Sequence, residues 1–221
     1  MKKSLTILAA AVLLLGLLAG CGFGARGEKP VIYLYPEDCD AKPVIYLDAP
    51  TELDVTVRLD YAGRLTSTYP YYGEDGWHVL ARPDGTLTDP DTGRQYYCLF
   101  WEGVNDVEYD LSTGFCVAGE DTAAFLEDAL AKLGLNEREA NEFIIYWLPR
   151  MEGNAWNLIS FQGAAYTDAA VLDIDPAPDS MLRVFMAWKG LDRPVEVEPQ
   201  EFQPFERAGF TVVEWGGCEM G

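Results

Sequence analysis

The chain has 221 residues, 49% of them hydrophobic and 13% aromatic, with 36 acids against 16 bases and a formal charge of −20. That aromatic content belongs to a globular protein, and the length suffices for one sizeable core or two small ones. The charge argues against nucleic acid and against electrostatic binding to anionic lipid, because both partners are themselves negative.

The N-terminus opens Met1-Lys2-Lys3 and runs apolar and small from Leu5 to Gly20, interrupted only by Thr6. Two lysines, a short apolar stretch and small residues at its end are the parts of a secretory signal, here residues 1–20. The run is shorter than the ~20 residues a transmembrane helix requires. Its ending, Leu18-Ala19-Gly20-Cys21, resembles the lipobox of bacterial lipoproteins. There the cysteine thiol takes a diacylglycerol, the bond before it is cut, and the new amine can be acylated. The resemblance implies lipidation at Cys21 and a place on the extracytoplasmic face of the cell membrane. Cleavage leaves 36 acids against 14 bases, a net charge near −22, which suits solubility beside a negative surface. Four further cysteines, Cys39, Cys98, Cys116 and Cys218, permit two disulfides in three connectivities. Their spacing matches no zinc pattern, and Cys98 reads as a buried small hydrophobe.

Residues 21–28 are Gly-rich and polar, a tether. A duplication follows: Lys29-Pro30-Val31-Ile32-Tyr33-Leu34 recurs as Lys42-Pro43-Val44-Ile45-Tyr46-Leu47, and each copy is a β-prone run opened by proline. From Leu53 to Asp60 apolar and polar residues alternate strictly, which predicts a half-exposed antiparallel strand. Arg64–Tyr69 and Trp77–Arg82 predict two more. Asp84-Gly85 and Asp91-Thr92-Gly93 mark hairpins, and Arg94–Trp101 reads as one central strand. Residues 29–118 therefore form a β-rich part, a sandwich or partly open barrel. After Gly119 the period becomes helical. Glu120 or Asp121 caps a helix with the stripe Phe125, Leu126, Ala129, Leu130 and Leu133, ended by Gly134. Asn136-Glu137-Arg138-Glu139 is a capping box for a second helix that stops at Pro149. Asn157–Phe161, Ala170–Ile174, Met181–Trp188 and Phe210–Trp215 predict a small C-terminal sheet, with an exposed extended stretch over Leu191–Arg207. Residues 119–221 make an α+β part, either a second lobe or the remainder of one domain.

Several blocks recur together: Lys29–Pro36, Leu99-Phe100-Trp101-Glu102-Gly103, Gly119-Glu120-Asp121-Thr122, Tyr146-Trp147-Leu148-Pro149 and Gly209–Gly217. Together they make the chain similar to a family of uncharacterised secreted proteins and lipoproteins of anaerobic, often Gram-positive, bacteria. The resemblance spans nearly all of the mature chain and implies no activity.

Four chemistries are open to the residues. His78 is the only histidine and has no motif around it, which points to a surface or packing role; none of the serines sits in a nucleophile elbow. Glu102 and Glu214 follow or interrupt apolar runs and are the acids that a two-carboxylate glycosidase would use. The aspartates around Asp84, Asp89 and Asp91, and around Asp173, Asp175 and Asp179, are turn formers before they are calcium ligands, since neither cluster follows the EF-hand order. Aromatic residues from neighbouring strands make the fourth candidate. Trp101 and Tyr97 read as core, whereas Tyr71, Tyr72 and Trp77 lie among glycines and a proline and are the expected ligand-binding rings. No metal or cofactor is expected. The sequence thus predicts a lipid-anchored, non-enzymatic binding protein for a glycan, wall polymer or other envelope partner. A hydrolase and a purely structural envelope protein are the alternatives.

Overall fold

The computed structural model describes residues 39–221. The signal segment, Cys21, the tether and the first Lys-Pro-Val-Ile-Tyr-Leu copy lie outside the described residues. What is described is an α+β fold of two open sheets and a helix pair. The strands are β1 (Cys39–Ala41), β2 (Val44–Asp48), β3 (Leu53–Tyr61), β4 (Arg64–Tyr69), β5 (Trp77–Ala81), β6 (Leu87–Thr88), β7 (Gln95–Tyr96), β8 (Leu99–Asn105), β9 (Phe115–Ala118), β10 (Trp156–Gln162), β11 (Ala170–Asp175), β12 (Ser180–Leu191) and β13 (Thr211–Glu219). The helices are α1 (Thr122–Leu133), α2 (Glu137–Met151) and the short α3 (Ala164–Ala169).

The large sheet runs β1-β8-β2-β13-β12-β10-β9, with β4 on the other side of β8. The small sheet runs β11-β3-β5-β6-β7. Both sheets draw strands from both halves of the chain. β2 and β8 join β10, β12 and β13, while β11 pairs with β3 from Ala170↔Tyr61 to Asp175↔Thr56. The second Lys-Pro-Val-Ile-Tyr-Leu copy supplies β2, paired to β13 from Thr211↔Asp48 to Trp215↔Val44. Among the described strands, β12 and β13 alone pair in parallel. The stretch between them is extended and tied down. The Gly114 amide donates to Glu198 O at 2.7 Å, and the Gln200 side chain bonds both the N–H and the C=O of Phe161 at 2.8 and 2.9 Å, in place of a neighbouring strand.

Apolar residues sort into two layers because the central strands of the large sheet are covered on both faces. On one face Ile45, Leu47, Leu99, Trp101, Phe185 and Val212 pack against Val55, Val57, Trp77 and Val79 of the small sheet. On the other, Tyr46, Val184, Met186, Trp188, Val213 and Trp215 pack against Leu126, Leu130, Phe143 and Trp147 of the helices. β13 lies in the middle and is buried from Thr211 to Cys218, the mark of a strand covered on both sides. Gly217 permits this: a Cβ there would sit 2.6 Å from Met186 O and 3.0 Å from the Trp147 ring.

The helix signals act as the residues dictate except at the start of α1, where the chain enters through a 3-10 turn over Gly119–Asp121 and neither Glu120 nor Asp121 makes a side-chain capping bond. Gly134 takes a left-handed φ of 102° and closes α1, and Leu135 N–H bonds Leu130 O at 3.1 Å. Asn136 and Glu139 form the reciprocal capping box. Two further expectations change. α2 runs on through Pro149 to Met151, since a proline in the last turn removes one bond without forcing the chain out. Arg94–Trp101 is not one strand: β7 belongs to the edge of the small sheet and β8 to the large one, and Tyr97-Cys98 is the crossing between them.

Candidate functional site

The expected platform of Tyr71, Tyr72 and Trp77 is not brought together. Trp77 is 2% exposed; its indole N–H donates to Pro70 O at 2.9 Å and its ring meets Tyr72 edge-on at 4.7 Å. The Tyr72 hydroxyl accepts from Leu59 N–H at 2.8 Å, so this half-buried ring is a brace inside the small sheet. Tyr71 alone stands in solvent, 85% exposed. The reason is strand phase: β5 points Trp77, Val79 and Ala81 inward and His78 outward, where it meets Asp54 at 2.6 Å.

The two expected acids are separated by the large sheet. Glu214 points into the space between the sheets with no exposed side-chain surface. Its carboxylate accepts from Arg183 Nε at 2.6 Å and from the Trp101 indole at 3.3 Å. Arg183 is its parallel cross-strand partner and lies over the Tyr166 ring at 4.8 Å. Burial alone would lower the arginine's pKa, but the Glu214 charge outweighs it and the guanidinium is held above its usual value. This is a structural ion pair in a dry core. Glu102, by contrast, follows buried Trp101 on β8 and therefore faces the helix side. Lys42 Nζ bonds it at 2.9 Å and Asp40 at 2.8 Å.

The first aspartate cluster serves turns, whereas Asp173 and Asp175 lie on β11, where Asp173 faces Arg58 at 3.6 Å. Asp84 accepts from Thr86 N–H, and Asp89 accepts from the N–H groups of Asp91 and Thr92. Asp179 accepts from Phe210 N–H at 2.7 Å. Among the described residues no group of three or more His, Cys, Asp or Glu is placed to hold a metal ion. Cys98 and Cys116 are free thiols, and Cys218 is disulfide-bonded. Among the described residues no helix is long and apolar enough to cross a membrane.

The rings that remain open lie at the crossing between the sheets. Tyr69, Gln95, Tyr96, Tyr97, Cys98, Phe100 and Val44 line a half-open cavity of about 350 Å³, at the small end of the usual range for small-molecule sites. Its construction follows from register. Phe100 pairs with Val44 of β2 on one side and with Tyr69 of β4 on the other, so all three share the helix-bearing face. The chain reverses phase at Tyr97-Cys98, which leaves Tyr97 at 53% exposure rather than in the core, with Tyr69 also at 53%. Tyr69 and Tyr96 meet edge-on at 5.4 Å. Arg138 of α2 lies over the Tyr97 ring at 5.1 Å and donates to Glu142 at 3.2 Å. Burial, then the nearby Glu142 charge, pushes the Cys98 thiol up to about 12, so it stays protonated and unreactive at neutral pH. Strand alternation could have placed Phe100 opposite Trp101. Nothing in the sequence announced that β7 and β8 belong to different sheets, and that break is what opens Tyr97.

Fold and groove thus describe a protein with two sheets and a helix pair that carries an open aromatic trough where the sheets part. No family profile matches the chain, and no solved structure matches it. A protein of Butyrivibrio fibrisolvens, printed as "Uncharacterized protein in bglA 3'region", is 35% identical over 107 residues, covering 46% of this chain and 97% of that protein. With nearly the whole relative matched, the chain belongs to the same family as that protein.

Proposed function

We propose that this protein is anchored by lipid on Cys21 at the extracytoplasmic face of the cell membrane and binds glycan there without cleaving it. The observation that carries the binding role is the groove: Tyr69, Tyr96, Tyr97 and Phe100 present ring surface around one cavity, with the Gln95 amide among them. Flat rings stack on the apolar faces of sugars, and an amide or carboxylate at the rim bonds their hydroxyls. The address rests on the lipobox-like Leu18-Ala19-Gly20-Cys21 after a short apolar run. The disulfide at Cys218 supports it, since such bonds persist in oxidising compartments. Binding is favoured over hydrolysis because Glu214 is engaged in the core and Glu102 faces the other side of the sheet.

Two measurements test the halves of this reading. Cys21→Ser should abolish incorporation of labelled fatty acid and release the protein from the membrane fraction; a variant that is still processed and membrane-bound removes the anchor. A screen of the full chain against neutral and wall-derived glycans at millimolar concentration should give hits that Tyr69→Ala and Tyr97→Ala each weaken at least about ten-fold. Both rings are more than half exposed, so neither substitution should disturb folding. Hits that survive both substitutions would place binding elsewhere.

A further inference from the structure

The sheet face that carries the aromatic floor continues past it, and what lies there narrows the ligand. Two residues beyond Phe100 on the same face is Glu102, with Ser67 opposite it on β4 and Lys42 bonded to its carboxylate. Beside it runs a stripe of α2, with Arg138 over the Tyr97 ring at 5.1 Å and Glu142 and Tyr146 following at one-turn spacing. Glu142 is held from two sides. Arg138 Nε donates to one oxygen at 3.2 Å, and the Tyr46 hydroxyl donates to the other while accepting from the Trp215 indole at 3.1 Å. Tyr146 lies toward the Lys42–Glu102 end, close enough for the lysine charge to act on its hydroxyl.

Two carboxylates, each 27% exposed and each fixed by its own donors, therefore bracket the rings. A carboxylate has about four lone-pair sites, so each retains room to accept from a ligand hydroxyl. The cations present are engaged. Arg138 holds Glu142, Lys42 holds Glu102 and Asp40, and Arg94 and Arg150 lie over the rings of Tyr96 and Tyr146 at 5.9 and 4.2 Å. What the trough offers is ring surface and oriented acceptors, set in a chain of net charge −20. A polyanion would meet that field with Arg64, beside Val104 at the far end of the face, as the cation outside these pairs.

We propose that the groove selects an uncharged oligosaccharide, stacked on Tyr69, Tyr97 and Phe100 with its hydroxyls donated to Glu142 and Glu102, and that it discriminates against anionic glycans. The inference rests on the glycan reading and adds the class of glycan. The test is calorimetric titration of the full chain, in micelles of a detergent without sugar headgroups, with neutral tetrasaccharides of glucose, xylose and mannose and with tetragalacturonate. At least one neutral tetrasaccharide should bind. Tetragalacturonate should bind at least about ten-fold more weakly at low salt, with the gap narrowing as salt screens the repulsion. Glu142→Gln and Glu102→Gln should each weaken the neutral ligand about ten-fold, and Tyr97→Ala should abolish measurable heat. Tetragalacturonate binding as tightly as the neutral ligands, or undiminished affinity in both carboxamide variants, would overturn the selection while leaving glycan binding in place. No heat from any saccharide would overturn both.

Discussion

The two faces of the large sheet use the same strands for opposite purposes. On the inner face Trp101 and Glu214 are fully buried, and a charged pair is sealed between sheets with Arg183. On the outer face the neighbours of Trp101, Phe100 and Glu102, stay partly accessible. One step along β8 separates a structural tryptophan from a groove floor. The same residue types therefore carry different energetics. A buried ion pair is costly to break because it strands a charge in low dielectric, whereas a half-exposed pair leaves its partner to water.

The largest expected effect tests that contrast. Glu214→Ala should destabilise the fold by about 3–5 kcal/mol, read by urea unfolding, because Arg183 is left buried without its counter-charge. Replacing both, with Arg183→Met and Glu214→Leu, should recover most of the loss. A loss under about 1 kcal/mol in the single variant would mean that the inner face is not dry and the comparison fails.

A smaller effect comes from the inner-face tyrosines. Burial pushes Tyr109 up to about 12 and lifts Tyr61 and Tyr166 as well. The unfolded chain releases these protons near the ordinary tyrosine value of 10.0, while the folded chain keeps them. The stability they support is thus fully present below pH 10 and is lost as pH rises from there toward about 12. Each tyrosine contributes at most roughly 1.4 kcal/mol per pH unit in that window. Unfolding midpoints measured at pH 9 and pH 11 should show a steep fall, made shallower by Tyr109→Phe. An unchanged slope in that variant would place its hydroxyl in water.

The smallest effect belongs to the outer face. Glu102→Gln should cost less than about 1 kcal/mol, because its pair with Lys42 is partly exposed and Lys42 retains Asp40. A cost approaching that of Glu214→Ala would erase the distinction between the faces.

Local pattern carried much of the fold. The alternation of Leu53–Asp60 reads directly as β3, Asp84-Gly85 and Asp91-Thr92-Gly93 as hairpins, and Asn136 with Glu139 as a capping box. The candidate site was less legible. Trp77 looked available because of the glycines around it, yet its strand phase turns it inward. Tyr97 looked buried because of the apolar run around it, yet it lies at the crossing where that run changes sheets. Neither error is visible in a window of ten residues, since both depend on the partner sheet.

By itself the sequence determined the α+β character, the strand and helix periods, the caps and turns, and a lipobox-like motif at Cys21. These are properties of neighbouring residues, set by backbone sterics, hydrogen-bonding side chains and hydrophobic period. Only the tertiary structure decided which face of each strand is sealed. Alternation divides a strand into two faces but does not say what covers either one. The small sheet closes over Trp101 and Glu214, whereas Phe100 and Glu102 on the opposite face stay partly exposed. That covering, made by contacts distant in sequence, separates core from groove.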